Sequence, residues 1–179
     1  MTDSEYPLNP NDYTPGHVAN YFLWKAQSEG KTITPLKLIK LVYIAYSWNL
    51  VMYKNRLFEE RIEAWKYGPV IPSLYHEFKR FGSNSIDTFA TELSLGSGES
   101  SPVFPAIEMY REEGGVVDAV WQNYGDKTGE ELSNITHKGS PWLDAWKKGK
   151  NAPLDDKKIV QRSRPVVIAF LKELEGRNV

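Results

Sequence analysis

The chain has no cysteine. That rules out a disulfide framework, a thiolate metal site and a cysteine nucleophile, and it fits a reducing cytoplasm. It also has no excess of charge: 22 basic residues stand against 23 acidic ones, and the pI is near 6.3. A dedicated nucleic-acid binder usually carries a basic excess or patch, so nucleic acid is not an expected partner. Long apolar runs are missing as well. The longest, such as residues 41–46 and 166–171, fall far short of the ~20 residues that span a bilayer, and no membrane contact is expected. The start, MTDSEYPLNPNDY, lacks the basic and apolar regions of a signal peptide. The expectation is a cytoplasmic protein with a flexible tail over residues 1–13.

Catalytic and cofactor motifs are equally scarce. The imidazoles are His17, His76 and His137, no two of them at i,i+4 spacing, and there is no H-E-x-x-H. No phosphate-binding glycine motif and no G-x-S-x-G elbow occurs. Gly96-Ser97-Gly98 reads as a flexible loop. Thr136-His137 has the residue types of a nucleophile and a base, but adjacent residues at a helix end rarely face each other. His137 reads instead as a donor to backbone or a helix C-terminal cap. Metal, cofactor and catalytic residues are therefore all expected to be none, and the protein is not expected to be an enzyme.

What the chain does have is helix punctuation. Thr14-Pro15 places a capping hydroxyl before a proline, whose missing N–H costs nothing at the first helical position. Tyr13 and Val18 stand as the hydrophobic staple, and Gly30 ends the helix. Thr34-Pro35 repeats the device, with Ile33 and Leu38 as staple. From Leu36 to Tyr53 only Lys37, Lys40, Ser47 and Asn49 are plainly polar, which predicts a central buried helix. Residues 61–67 alternate with aromatics and predict a short strand, with Leu57-Phe58 as its hairpin partner. Gly68-Pro69 should end the strand and open a third helix over residues 69–81.

Residues 83–105 are rich in Ser, Gly and Pro and predict a surface loop. A helix over 116–124 follows. Thr128 and Glu131 then form a capping box for a short helix to Ile135. Ser140-Pro141 opens another helix that ends at Gly149. Asp155 caps the last helix, with Leu154 and Ile159 as staple, and Pro165 should kink or split it. The predicted architecture is mainly α: a single compact helical domain over residues 14–175 with one small β-hairpin.

Two groups of side chains invite a functional reading. Lys37 and Lys40 lie i,i+3 on the apolar helix, with Lys66, Lys79 and Arg80 following. They read either as lysines snorkelling at the rim of a buried helix or as a recessed positive patch that meets an acidic partner. Glu59, Glu60 and Glu63 argue against a nucleic-acid-binding wing in the hairpin. The chain also has six Trp and ten Tyr. Trp65, Tyr67, Trp142 and Trp146 fall at turns or helix entries, as structural pins or as interface anchors.

An ordered set of motifs runs along most of the chain: TPLKLIKLVY from Thr34 to Tyr43, Glu63-Ala64-Trp65, Gly68-Pro69-Val70, Leu74-Tyr75, Val120-Trp121, Tyr124, Leu132-Ser133, Thr136-His137 and Pro141-Trp142. In order and spacing this set resembles the Panacea (SocA-like) antitoxin domain, also met among phage-associated proteins. The resemblance implies an antitoxin of a two-gene toxin–antitoxin system that neutralises a cognate toxin by direct protein contact. It does not imply DNA binding. The partner-binding candidates are Lys37, Lys40, Trp65, Tyr67, His137 and Trp142. Two other classes stay open: an adaptor delivering a bound protein to a protease, and an enzyme with a site around His137.

Overall fold

A computed structural model describes residues 13–93, 100–102 and 111–177. Helix α1 (Pro15–Ser28) begins at Thr14, whose backbone N–H donates to His17 Nδ1 at 3.1 Å. His17 thus takes the place Glu holds in a usual capping box. The helix ends where expected, with Gly30 at φ 65° and Lys31 N–H donating back to the Ala26 carbonyl. Tyr13 and Val18 both lie in the core. Residues 1–12 of the expected tail lie outside the described residues.

Helix α2 (Pro35–Tyr53) starts at Thr34, whose hydroxyl accepts from Lys37 N–H. It is buried from Leu38 to Leu50 and packs against α1, α3 (Pro72–Phe78), α4 (Arg111–Tyr124), α5 (Gly129–His137) and α7 (Asp156–Arg177). A helix apolar on nearly every side needs neighbours on nearly every side, and this one has them.

The strand region departs from expectation. Strand β1 (Glu63–Trp65) pairs antiparallel with β2 (Gly68–Val70) across the Lys66-Tyr67 turn, not with Leu57-Phe58. Leu57 and Phe58 are core residues, and the Phe58 ring packs on Tyr46 at 4.9 Å. The third helix accordingly opens at Pro72 rather than Pro69 and continues as a 3-10 turn over Lys79–Phe81. The hairpin tolerates Pro69 for a definable reason. Ala64, opposite Pro69, sends its N–H to the Ala152 carbonyl on the other side of β1. In an antiparallel ladder such opposed residues form a non-hydrogen-bonded pair, so no ladder bond is asked of the Pro69 nitrogen.

A second antiparallel pair, β3 (Thr91–Leu93) with β4 (Ser100–Pro102), lies within the segment expected to be a loop; its connection, residues 94–99, is outside the described residues. Buried Asn20 holds the approach to it, exchanging two hydrogen bonds with the backbone of Ala90. Helix α5 carries the expected capping box, with Thr128 N–H on Glu131 Oε2 at 2.7 Å and Glu131 N–H on Thr128 Oγ1 at 3.2 Å. Helix α6 (Ser140–Lys148) ends at Gly149. Asp155 caps α7 by accepting from Lys157 N–H. Pro165 does not split α7. Both Pro165 and Gln161, whose carbonyl loses its partner, are exposed, so water can satisfy the freed group. The fold is mainly α, as the sequence predicts.

Candidate functional site

The hairpin turn is the meeting point of the molecule's separated motifs. Four bonds tie it down. Trp142 Nε1 on α6 donates to the Trp65 carbonyl at 2.8 Å. His137 Nε2 on α5 meets the Lys66 carbonyl at 3.1 Å. A carbonyl only accepts, so this nitrogen carries the proton. Ser133 Oγ donates to the Tyr67 carbonyl at 3.0 Å. From below, Lys40 Nζ on α2 donates to the Pro69 carbonyl at 2.8 Å. That carbonyl points away from β1 for the same reason the Pro69 nitrogen does, and Lys40 supplies the partner the ladder does not.

Lys40 is 0% exposed. The snorkelling picture does not describe it: the side chain stays inside. Its closest neighbour explains Gly68. A Cβ at Gly68 would lie 2.8 Å from Lys40 Nζ, and the residue has φ 102°, so both space and backbone conformation call for glycine. Among the described residues Lys40 makes no ion pair. Burial without a counter-charge pulls its pKa down from 10.5 to about 7.

Around the turn the aromatic side chains stack. The His137 ring lies 3.7 Å from Trp142, and Trp142 stacks on Trp146 at 5.5 Å with 19° between planes. On the other side Trp65 meets Tyr75 edge-on at 4.7 Å, and the Trp65 indole N–H donates to Glu63. Solvent reaches the His137–Trp142–Trp146 stack at Trp146, 39% exposed, and the turn at Tyr67, 65% exposed. A cleft of about 440 Å³ opens beside the turn, lined by Lys40, Trp65, Lys66, Tyr67, Tyr75 and Lys79 among others.

The structure therefore brings together five of the six expected partner-binding residues: Lys40, Trp65, Tyr67, His137 and Trp142. Lys37 goes elsewhere. Its ammonium donates to the Gly125 carbonyl and lies 5.7 Å from the Trp121 ring, where burial lowers its pKa. Arg80 also leaves the cleft, donating to Thr88 Oγ1. Lys66 and Lys79, read from sequence as members of a positive patch but not among the six candidates, complete the cleft together with Tyr75. Tyr75 carries a sequence signal as part of the Leu74-Tyr75 motif, one turn into a helix that begins at Pro72.

The arrangement shows little chemistry of bond-making. Thr136 Oγ1 is turned to the Leu132 carbonyl of its own helix at 2.9 Å, away from the role of nucleophile for His137. Among the described residues no three His, Cys, Asp or Glu side chains gather as metal ligands. No helix among them is long and apolar enough to cross a membrane.

Comparison with known proteins places this chain in a family. The family described as Antitoxin SocA-like, Panacea domain, matches residues 38–143, which contain α2 from Leu38 onward, the hairpin, α5 and the first turn of α6. Antitoxin SocA of Caulobacter vibrioides (strain NA1000 / CB15N) is 33% identical over 126 residues, covering 70% of this chain. The aligned part spans 66% of that relative's length. No solved structure matches. Lys40, the Gly68-Pro69 hairpin, Thr136-His137 and Trp142 all fall inside the matched segment, and the chain belongs to the Antitoxin SocA-like, Panacea domain family.

Proposed function

We propose that this protein is the antitoxin of a two-gene system and neutralises its cognate toxin by direct protein–protein binding, through the face built on the β1–β2 turn. Family membership supports the role. The observation that supports the face is a turn held by four side chain-to-backbone bonds, with Tyr67 exposed on it and Trp146 exposed at the end of the His137–Trp142 stack beside it. Tight pairs of proteins are centred on aromatic anchors that are rigid before binding, because little rotamer freedom is then lost in the complex.

The test is co-expression. The gene adjacent to this one is induced alone and then together with this protein, with growth and co-purification as readouts. Toxicity relieved by this protein, with a complex recovered, is the expected result. A double substitution of Tyr67→Ala and Trp146→Ala should weaken the complex by about a hundredfold, while thermal unfolding stays within about 1 kcal/mol of wild type, since both side chains are substantially exposed. A harmless neighbour that forms no complex would refute the two-gene reading. A complex indifferent to the double substitution would move the interface off this face.

A further inference from the structure

The cleft beside the hairpin has an unusual charge inventory. Lys40, Lys66 and Lys79 line it, and among the described residues no carboxylate does. The carboxylate tied to a lining residue, Glu63, is engaged by the Trp65 indole N–H at 2.9 Å. None of the three lysines takes part in an ion pair among the described residues. Lys66 and Lys79 are exposed, and the Lys66 ammonium rests 5.3 Å over the Tyr67 ring. The wall between them is apolar and aromatic: Leu36, Ile39, Val70 and the rings of Trp65 and Tyr75.

Low-dielectric walls make such a charge felt. While protonated, a buried ammonium with no ion-pair partner among the described residues projects its field into the adjoining cleft far more strongly than a solvated one does. An anion entering there gains attraction from Lys40 and direct contact with Lys66 and Lys79. Its presence favours the charged form of Lys40, which burial alone disfavours. Flat rings on the same wall suit an apolar or aromatic group beside the anion.

We infer that this cleft is a carboxylate-binding pocket, and that its occupant is an acidic segment of the partner protein, an Asp or Glu side chain or a C-terminal carboxylate next to an aromatic or aliphatic residue. The inference rests on the antitoxin reading for the identity of the partner, and on the cleft alone for the chemistry.

The two are separated by using two probes on the full chain. The first is phenylacetate, with phenylacetamide as its uncharged counterpart, followed through the Trp65 indole resonance. Phenylacetate should saturate in the millimolar range and bind about tenfold more tightly than the amide, a preference lost in a Lys66→Glu, Lys79→Glu double variant. Both lysines are exposed, so this variant is expected to fold as wild type does. The second probe is the product of the adjacent gene, whose affinity should fall about tenfold or more in the same variant and recover when a matching acidic residue of that partner is reversed to Lys. Equal binding of acid and amide overturns the carboxylate pocket. A partner that binds the charge-reversed protein as tightly as wild type overturns the docking assignment while leaving the antitoxin reading intact. Carboxylate preference together with no wild-type complex overturns the antitoxin reading, and the selectivity of the pocket stands.

Discussion

Replacing Lys40 by Met should make this protein more stable at neutral pH. Met preserves the length of the stem and removes the charge. Unfolded, Lys40 titrates near its ordinary 10.5; folded, burial brings it to about 7. Between those values the unfolded chain holds the proton and the folded chain does not, so stability rises as pH climbs through the window. Below about pH 7 the burial penalty is present in full, and above about 10.5 it is gone. At pH 7 the linkage amounts to about 4 kcal/mol. Against this, Met leaves the Pro69 carbonyl without its partner, which costs about 1–3 kcal/mol for a buried acceptor. The net gain at pH 7 is therefore about 1–3 kcal/mol, or roughly 2–12 °C in Tm for a domain of this size. The assay is urea unfolding of both proteins at pH 6.5, 8 and 9.5. The stability difference should shrink by about 3 kcal/mol across that range, because the remaining titrating groups are common to both and cancel. A difference that does not change with pH, or a Met variant less stable than wild type at pH 6.5, would refute the reasoning. The first would mean Lys40 is not held near neutrality; the second would mean its bond to Pro69 outweighs the cost of burial.

Three further outcomes follow from the same contacts. Gly68→Ala should lose about 2–4 kcal/mol, since its Cβ would meet the Lys40 ammonium at 2.8 Å and its φ is 102°. Combining it with Lys40→Met should recover only the part due to the clash, as a double-mutant cycle in thermal unfolding will read. Trp142→Phe removes the indole N–H from the Trp65 carbonyl and should cost about 1–2 kcal/mol, visible as a lower urea midpoint with an unchanged slope. Thr128→Ala removes the hydroxyl that accepts from Glu131 N–H in the α5 capping box and should cost about 1 kcal/mol, with amide exchange accelerated first at Glu130 and Glu131.

Much of the fold was written locally. Thr14-Pro15, Thr34-Pro35, Thr128 with Glu131, Asp155 and Gly30 mark helix ends within a few residues of sequence, because a cap is a contact between near neighbours. The near absence of polar residues between Leu36 and Tyr53 was enough to make α2 the centre, since no other place in a folded chain tolerates such a helix. The aromatic residues at the hairpin and helix entries were legible as a group by residue type. Their motif order carried the family.

Other features depended on residues far apart in the chain. Gly68-Pro69 read locally as the start of the third helix; the pairing of β1 with the chain on both its sides, through Ala152 as well as Val70, puts Pro69 in a strand and moves the start to Pro72. Lys37 and Lys40 stand three residues apart with the same chemistry, yet one reaches a carbonyl 88 positions away and the other a carbonyl 29 positions away. Spacing on a helix determines which direction a side chain leaves, and only the packed neighbours determine what it meets. From its sequence alone this protein is a helical domain around one buried helix, with the motifs of its family in order. Tertiary structure decided that one lysine would be sealed beneath a Gly-Pro turn with no counter-charge among the described residues, because burial and pairing are properties of assembled surfaces and not of any single segment.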